Sequence, residues 1–281
     1  MPPREGPLDR THRRTPARAA WPLAARILTA SLLLAASLAP ARGGVRLLDP
    51  GDGMMPLPPV PQWLRAPDDK APPLDTIRVA VAGGDSGLLA GMTAQAAPFK
   101  LVAPTEGPDL VYDPGSRQAT SKGEVIAYDV APPDLPAVID RMAFAEGIVK
   151  LAAARPQPIS VADGPPLRRR DDRVEIDLTG MANRALILFS VSGDGLVQAL
   201  YPIGSDARIV DAAAFAWTFE VHEPFGADLI VAISAAQPME ALAAGLKRLS
   251  HYRSAGEVLK LIALTAPPDV RIGVAAVLSA P

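Results

Sequence analysis

The sequence predicts an α+β protein: a small α/β unit, then a mostly antiparallel β-sandwich-like domain with two late helices and a closing strand. Three observations carry this. Apolar segments with strand character come first and helical segments late, without regular βαβ alternation. The 31 prolines cut the chain of 281 residues into short elements and exclude a long helical bundle. Nearly half the residues, 49%, are hydrophobic but only 5% are aromatic, so the core must be built from Ala, Val, Leu and Ile.

The elements follow in order. Residues 1–26 hold six arginines (Arg4, Arg10, Arg13, Arg14, Arg18, Arg26) against Glu5 and Asp9. An apolar run over 27–38 and the small-residue exit Ala39-Pro40-Ala41 complete the pattern of a secretory signal over 1–41. The run is shorter than the roughly 20 residues a membrane-spanning helix needs. The expected locations are therefore periplasmic or otherwise extracytoplasmic after cleavage, or, if the segment is retained, tethered to the inner membrane. Residues 42–76 read as a proline-rich linker, with Trp63 and Leu64 able to dock on the folded part.

The small α/β unit spans 77–155. Ile77–Ala82 is an apolar strand, Ser86–Ala97 a short helix, and Phe99–Val102 and Asp109–Tyr112 are strands. Arg117–Val130 is a hairpin with Ser121-Lys122-Gly123 at its tip. Pro133 opens a helix to Ala153 with helically spaced apolar residues, closed by Pro156 and Pro158. The second domain spans 156–281. Its strands are Ile159–Val161, Arg173–Leu178, Ala185–Val191, Leu196–Tyr201, Ala216–Val221 and Asp228–Ser234. Helices Met239–Tyr252 and Ala255–Leu264 and strand Arg271–Leu278 close the chain.

Charge and composition exclude several functions. Net charge is -2, with no basic excess to recruit nucleic acid. Removing 1–41 takes six arginines and two acids and leaves about -6. The chain has no cysteine, which removes thiol catalysis, thiolate metal sites and disulfides together. There is no Gly-x-Ser-x-Gly elbow. His222, after a strand, and His251, late in a helix, read as structural, because no carboxylate pair at ligand spacing accompanies them.

The remaining candidates are local. Gly83-Gly84-Asp85-Ser86-Gly87 joins a strand to a helix, the context of a phosphate site, but lacks the Gly-Lys-Ser/Thr ending of a P-loop. Carboxylates for hydrolysis are on offer at Asp171-Asp172, at Asp109 and Asp113, and at Glu220 and Glu223. Arg168-Arg169-Arg170 is a short basic run balanced by Asp171-Asp172. Ser192-Gly193-Asp194-Gly195 between two apolar strands is the most specific local signal and reads as a β-hairpin turn.

That turn sits in a larger pattern: Leu186-x-Leu188-Phe189, then Gly193-Asp194-Gly195-x-Val197-Gln198-x-Leu200-Tyr201-Pro202, then Pro224-Phe225-Gly226-Ala227-Asp228-Leu229-Ile230-Val231-Ala232. It resembles a bacterial domain of unknown function carried as the C-terminal accessory region of exported caspase-like peptidases. Asp109–Asp113, Ile139-Asp140-Arg141, Gly273-Val274 and Ala280-Pro281 fit the same version, so the resemblance covers about residues 77–281. A caspase-like peptidase needs a Cys/His dyad, and this chain lacks cysteine. What the resemblance implies is thus a non-catalytic accessory module, with a protein partner in the cell envelope and a separately encoded peptidase as one candidate. No catalytic, cofactor-binding or metal-ligating residue is expected. The residues expected to form a partner-contact surface are Gly193, Asp194, Gly195, Pro224, Phe225 and Asp228. The alternatives are a carboxylate-dependent hydrolase and a phosphate-binding protein.

Overall fold

The computed structural model describes residues 74–281, apart from 84, 85, 90, 95, 96, 204, 205 and 207. The expected signal, the linker up to residue 73 and the middle of the Gly83–Gly87 loop lie outside the described residues. Among the described residues no helix is long and apolar enough to cross a membrane.

The fold is α+β. The first sheet holds β1 (Ile77–Val81), β2 (Phe99–Leu101), β3 (Leu110–Asp113), β4 (Gln118–Ser121) and β5 (Glu124–Ala127) in the order β2-β1-β3-β4-β5. β1 runs parallel to β2 and β3, and β3, β4 and β5 are antiparallel. The helix expected at 86–97 is instead a single 3-10 turn over Ser86–Leu89. Gly91 takes φ of 82°, a left-handed conformation that stops a helix from propagating.

Helix α1 (Leu135–Ala154) follows, entered through Pro136 in its first turn and ended before Pro156. Its apolar residues serve two cores. Leu135, Val138, Ile139, Met142 and Ala143 pack on the first sheet with Ile77, Val79, Leu110 and Tyr112. Phe144 and Ile148 pack with Phe189, Val231, Leu246 and Leu259 of the rest of the chain. A helix buried on opposite sides needs this all-round apolar surface.

The central sheet contains β7 (Leu167–Arg168), β9 (Arg184–Val191), β10 (Val197–Tyr201), β13 (Ala227–Ala235) and β14 (Arg271–Ser279), in the order β10-β9-β13-β14-β7, with β11 (Ile209–Val210) also on β9. β13 is buried along nearly its whole length because it lies between β9 and β14, antiparallel to both. Alternation along the strands separates two faces. Ile187, Phe189, Val191, Leu229, Val231 and Ile233 face α1, α2 (Glu240–Leu249) and α3 (Ala255–Thr265). Leu186, Leu188, Ile230 and Ala232 face Val174, Ile176 and Leu178 of β8 (Arg173–Thr179). β8 is the middle strand of a third, antiparallel sheet with β6 (Ile159–Val161) and β12 (Ala214–Glu220), in the order β12-β8-β6.

The central sheet is thus covered by strands on one face and by helices on the other. The fold therefore departs from the expected β-sandwich-like arrangement: α1, α2 and α3 cover a face of the central sheet. The two-residue strands β7 and β11 were not legible in the sequence, since neither is long enough to show a period of two.

Because Phe144 is fully buried and lies 6.4 Å, ring to ring, from Phe189, Phe144→Ala should destabilise by about 3–5 kcal/mol. Urea unfolding followed by tryptophan fluorescence and by circular dichroism tests this; a loss under about 1 kcal/mol would contradict the packing of α1 on the central sheet.

Candidate functional site

The hairpin expected at Ser192–Gly195 is present. β9 and β10 pair antiparallel, Gly195 N–H donates to Ser192 O at 3.0 Å, and Gly195 has φ of 88°. The glycines have a second reason. A Cβ on Gly193 would overlap the carbonyl oxygen of Ile126, and a Cβ on Gly226 would overlap the same atom. A Cβ on Gly195 would sit 2.8 Å from the carbonyl oxygen of Ala137 in α1. β5 is therefore wedged against both turns, and an isolated bridge pairs Ala127 with Gly226. Turn geometry explains Gly195; close backbone approach explains Gly193 and Gly226.

This placement corrects the expected partner-contact surface. Gly193, Asp194, Gly195 and Phe225 are buried, and Pro224 and Asp228 are half-buried. The residues that looked like a display lie at the junction where the first sheet and α1 meet the central sheet.

A chain of charges runs through this junction. Arg253, between α2 and α3, donates from Nε to Asp194 Oδ2 at 2.9 Å and from Nη1 to Asp134 Oδ1 at 2.8 Å. Asp194 also accepts from the Ser192 hydroxyl and, at 3.3 Å, from Leu196 N–H. Beside it, Arg141 of α1 donates to the carbonyl of Ala227. Burial raises the Asp228 carboxyl to about 8; the Asp194 charge adds to this, and Arg141 and the Gly193 amide oppose it. Burial likewise lowers Arg141 to about 10, against the attraction of Asp228. Asp228 Oδ1 and Arg141 Nε are buried without a protein hydrogen-bond partner. Arg141 enters the sequence reading only within the Ile139-Asp140-Arg141 stretch that fits the resemblance. Arg253 and Asp134 gave no signal, because their link to Asp194 spans 59 residues on one side and their own pairing spans 119.

On the far side of Asp228 lies a small cavity of about 40 Å³ between β10 and the end of β12. Leu196, Leu200, Phe219 and Ile230 give it apolar walls, and Ser190, Gln198, His222, Glu220 and Asp228 give it polar ones. His222 has carboxylates on both ring nitrogens, Asp171 Oδ1 at 3.5 Å and Glu220 Oε2 at 3.7 Å, which the sequence reading of an isolated histidine missed. Next to the cavity, Tyr201, Phe215 and Trp217 cluster with ring centroids 4.9 to 6.2 Å apart.

The outer edge of β12 is open. Val221 N–H donates to Asp172 O and Met181 N–H to Ala213 O, so the odd-numbered residues of β12 direct their backbone toward β8. By alternation the backbone groups of Ala214, Ala216, Thr218 and Glu220 point away from β8. All four residues are exposed, and among the described residues no other strand pairs with β12. The strand has no proline and no lysine to discourage pairing.

The other candidates are absorbed into local structure. Asp109 accepts from Arg78 N–H, Asp113 from Gly115 N–H and the Ser116 hydroxyl, and Asp172 from Arg169 N–H. In the basic run, Arg168 donates to Ala162 O, Arg169 to Pro281 O, and Arg170 pairs with Glu223 and stacks over Phe225. His251 lies beyond the end of α2, with φ of 70°, and its N–H donates to Val197 O. Among the described residues no cluster of three or more His, Asp or Glu could hold a metal ion. No family model, no curated protein and no solved structure matches the chain.

Gly193→Ala should cost at least about 3 kcal/mol, because the clash is with backbone that cannot rotate away. Denaturant unfolding measures it, and a change below about 1 kcal/mol would refute the wedge.

Asp228 also sets a pH dependence. Between an unfolded value near 3.8 and about 8, the folded state holds a proton at Asp228 that the unfolded state has lost. Its contribution to stability therefore falls as pH rises through that window and levels off above it. Asp228→Asn should remove this decline and stabilise the protein at pH 7 by roughly 2–4 kcal/mol. Urea midpoints from pH 4 to 9 decide it: parallel profiles for the two proteins would contradict a buried, protonated Asp228.

Proposed function

We propose that this chain is an exported, non-catalytic protein-binding module of the bacterial envelope, and that its working surface is the outer edge of β12. The observation that carries this is the row of outward backbone groups at Ala214, Ala216, Thr218 and Glu220. An extended segment of a partner can add there as a further strand, with main-chain hydrogen bonds giving affinity and alternate side chains giving specificity. Phe215 and Trp217 of the strand pack with Tyr201 of β10 on its inner face. The signal-like residues 1–41 support export, and the resemblance to the accessory region of caspase-like peptidases supports an envelope partner, a separately encoded peptidase among the candidates.

One observation favours a second reading, a carboxylate-dependent hydrolase. Glu220 and Asp228 line the same cavity, and Asp228 is held protonated near neutral pH, as a general acid must be.

Thr218→Pro separates these readings. Its N–H faces away from β8, so the substitution should leave folding within about 1 kcal/mol while blocking strand addition. The full chain should retain from envelope extracts a defined set of proteins that the variant loses by at least about tenfold. Recovery unaffected by Thr218→Pro, together with hydrolysis of a peptide or glycan panel that Asp228→Asn abolishes, would overturn the binding reading in favour of the hydrolase.

A further inference from the structure

β12 carries on its own sequence what a strand added to its edge would have to supply. Phe215, Trp217 and Phe219 alternate toward the inner face, where they are only half-buried against the cluster that holds Val174, Ile176 and Tyr201. The rings of Phe215 and Trp217 stack, with planes 8° apart and centroids separated by 6.2 Å. An added strand continues the sheet, and residues opposite one another on neighbouring strands share a face. Covering these rings takes large apolar residues at alternate positions. β12 has that pattern itself.

Pairing β12 with β12 of a second copy also satisfies the backbone. The outward groups belong to Ala214, Ala216, Thr218 and Glu220. In an antiparallel pair centred on Trp217, Ala214 lies opposite Glu220 and Ala216 opposite Thr218. Each outward N–H and C=O then meets one from the other copy. The same register sets Phe215 opposite Phe219 and Trp217 opposite its own counterpart, at the non-hydrogen-bonded positions where side chains approach most closely. Sliding one strand by two residues leaves both ends unpaired.

Charge does not oppose this register. Glu220 is the single charge on the strand, and Arg173 Nε lies 3.6 Å from its carboxylate. The two glutamates fall at opposite ends of the paired strands, each facing an alanine. The rest of the outer face is Ala214, Ala216 and Thr218, and all seven residues of β12 pair with β8 without a bulge. An edge so regular has none of the devices that keep a strand from pairing with its like.

We infer that two copies of this chain pair through β12, antiparallel and centred on Trp217, joining their three-stranded sheets into one continuous sheet. A two-fold axis occupies both edges at once, so the assembly closes as a dimer. The inference rests on the edge-binding reading and names the strand that the edge accepts. An envelope partner then has to displace the second copy.

Sedimentation equilibrium of the full chain should show a reversible monomer–dimer equilibrium with half-dissociation at about 1–100 μM, as a small interface warrants. Thr218→Pro should weaken it at least about tenfold, because the ring removes an N–H and obstructs the facing backbone, and circular dichroism establishes that the variant is folded. The natural chain has no cysteine, so cross-linking reads the register directly. In Ala216→Cys/Thr218→Cys the two thiols face one another across the copies with Cα atoms about 5.5 Å apart, a separation that a disulfide spans. Like positions lie about 7–8 Å apart on the diagonal, so each single variant should link at most about one-tenth as fast as the double one. A dimer unmoved by Thr218→Pro, or single variants that link as readily as the double one, overturns this pairing. A chain that stays monomeric to about 500 μM and still retains envelope proteins through the β12 edge overturns self-pairing and leaves the edge reading standing. A monomer that retains none overturns both.

Discussion

The contact on which this structure depends is between backbones. The carbonyl of Ile126, at the end of β5, occupies the space where side chains of residues 193 and 226 would begin. Only because both are glycine can the edge of the first sheet lie against the turns of the central one. That approach brings α1 over the central sheet, aligns Asp134 with Arg253, and lets Arg141 reach the Ala227 carbonyl. With bulkier turns the hydrophobic halves of α1 would lack one of their two partners.

The charged groups at this junction belong to the same geometry. A buried network of this kind contributes little net stability, since desolvation offsets much of the attraction, but it penalises any docking that leaves a charge unpaired. Arg253 joins the loop after α2 to the start of α1 and to the hairpin at once. Apolar packing holds α1 close to the central sheet, and the charges fix its register. Two buried atoms at this junction lack a protein hydrogen-bond partner, Arg141 Nε and Asp228 Oδ1, and Asp228 also lines the cavity beside the end of β12.

Much of the secondary structure was legible because strands such as β9 and β13 are continuous apolar runs bounded by turn residues, and α1 is a long helical pattern between prolines. The hairpin at Ser192–Gly195 followed from its own chemistry. What could not be read locally was where the turn docks. Gly193 has an ordinary reason to be glycine in a turn, and that reason conceals the stronger one, a carbonyl more than sixty residues earlier in the chain. Asp194 and Phe225, both buried, read as a surface for the same cause: polar and aromatic residues in a turn look solvent-facing until something is known to cover them. The open edge of β12 was equally hidden, since an edge strand and a central one with the same alternation have the same sequence signature.

Gly193 and Gly226 lie in different turns yet answer to one oxygen atom. A side chain at either position requires the same displacement of β5, and once that strand has moved, the second position is released at little further cost. The two substitutions are therefore coupled: their combined effect falls well short of the sum of the separate ones. In the space of sequences this fold can occupy, the two positions form a single constraint, kept together or abandoned together.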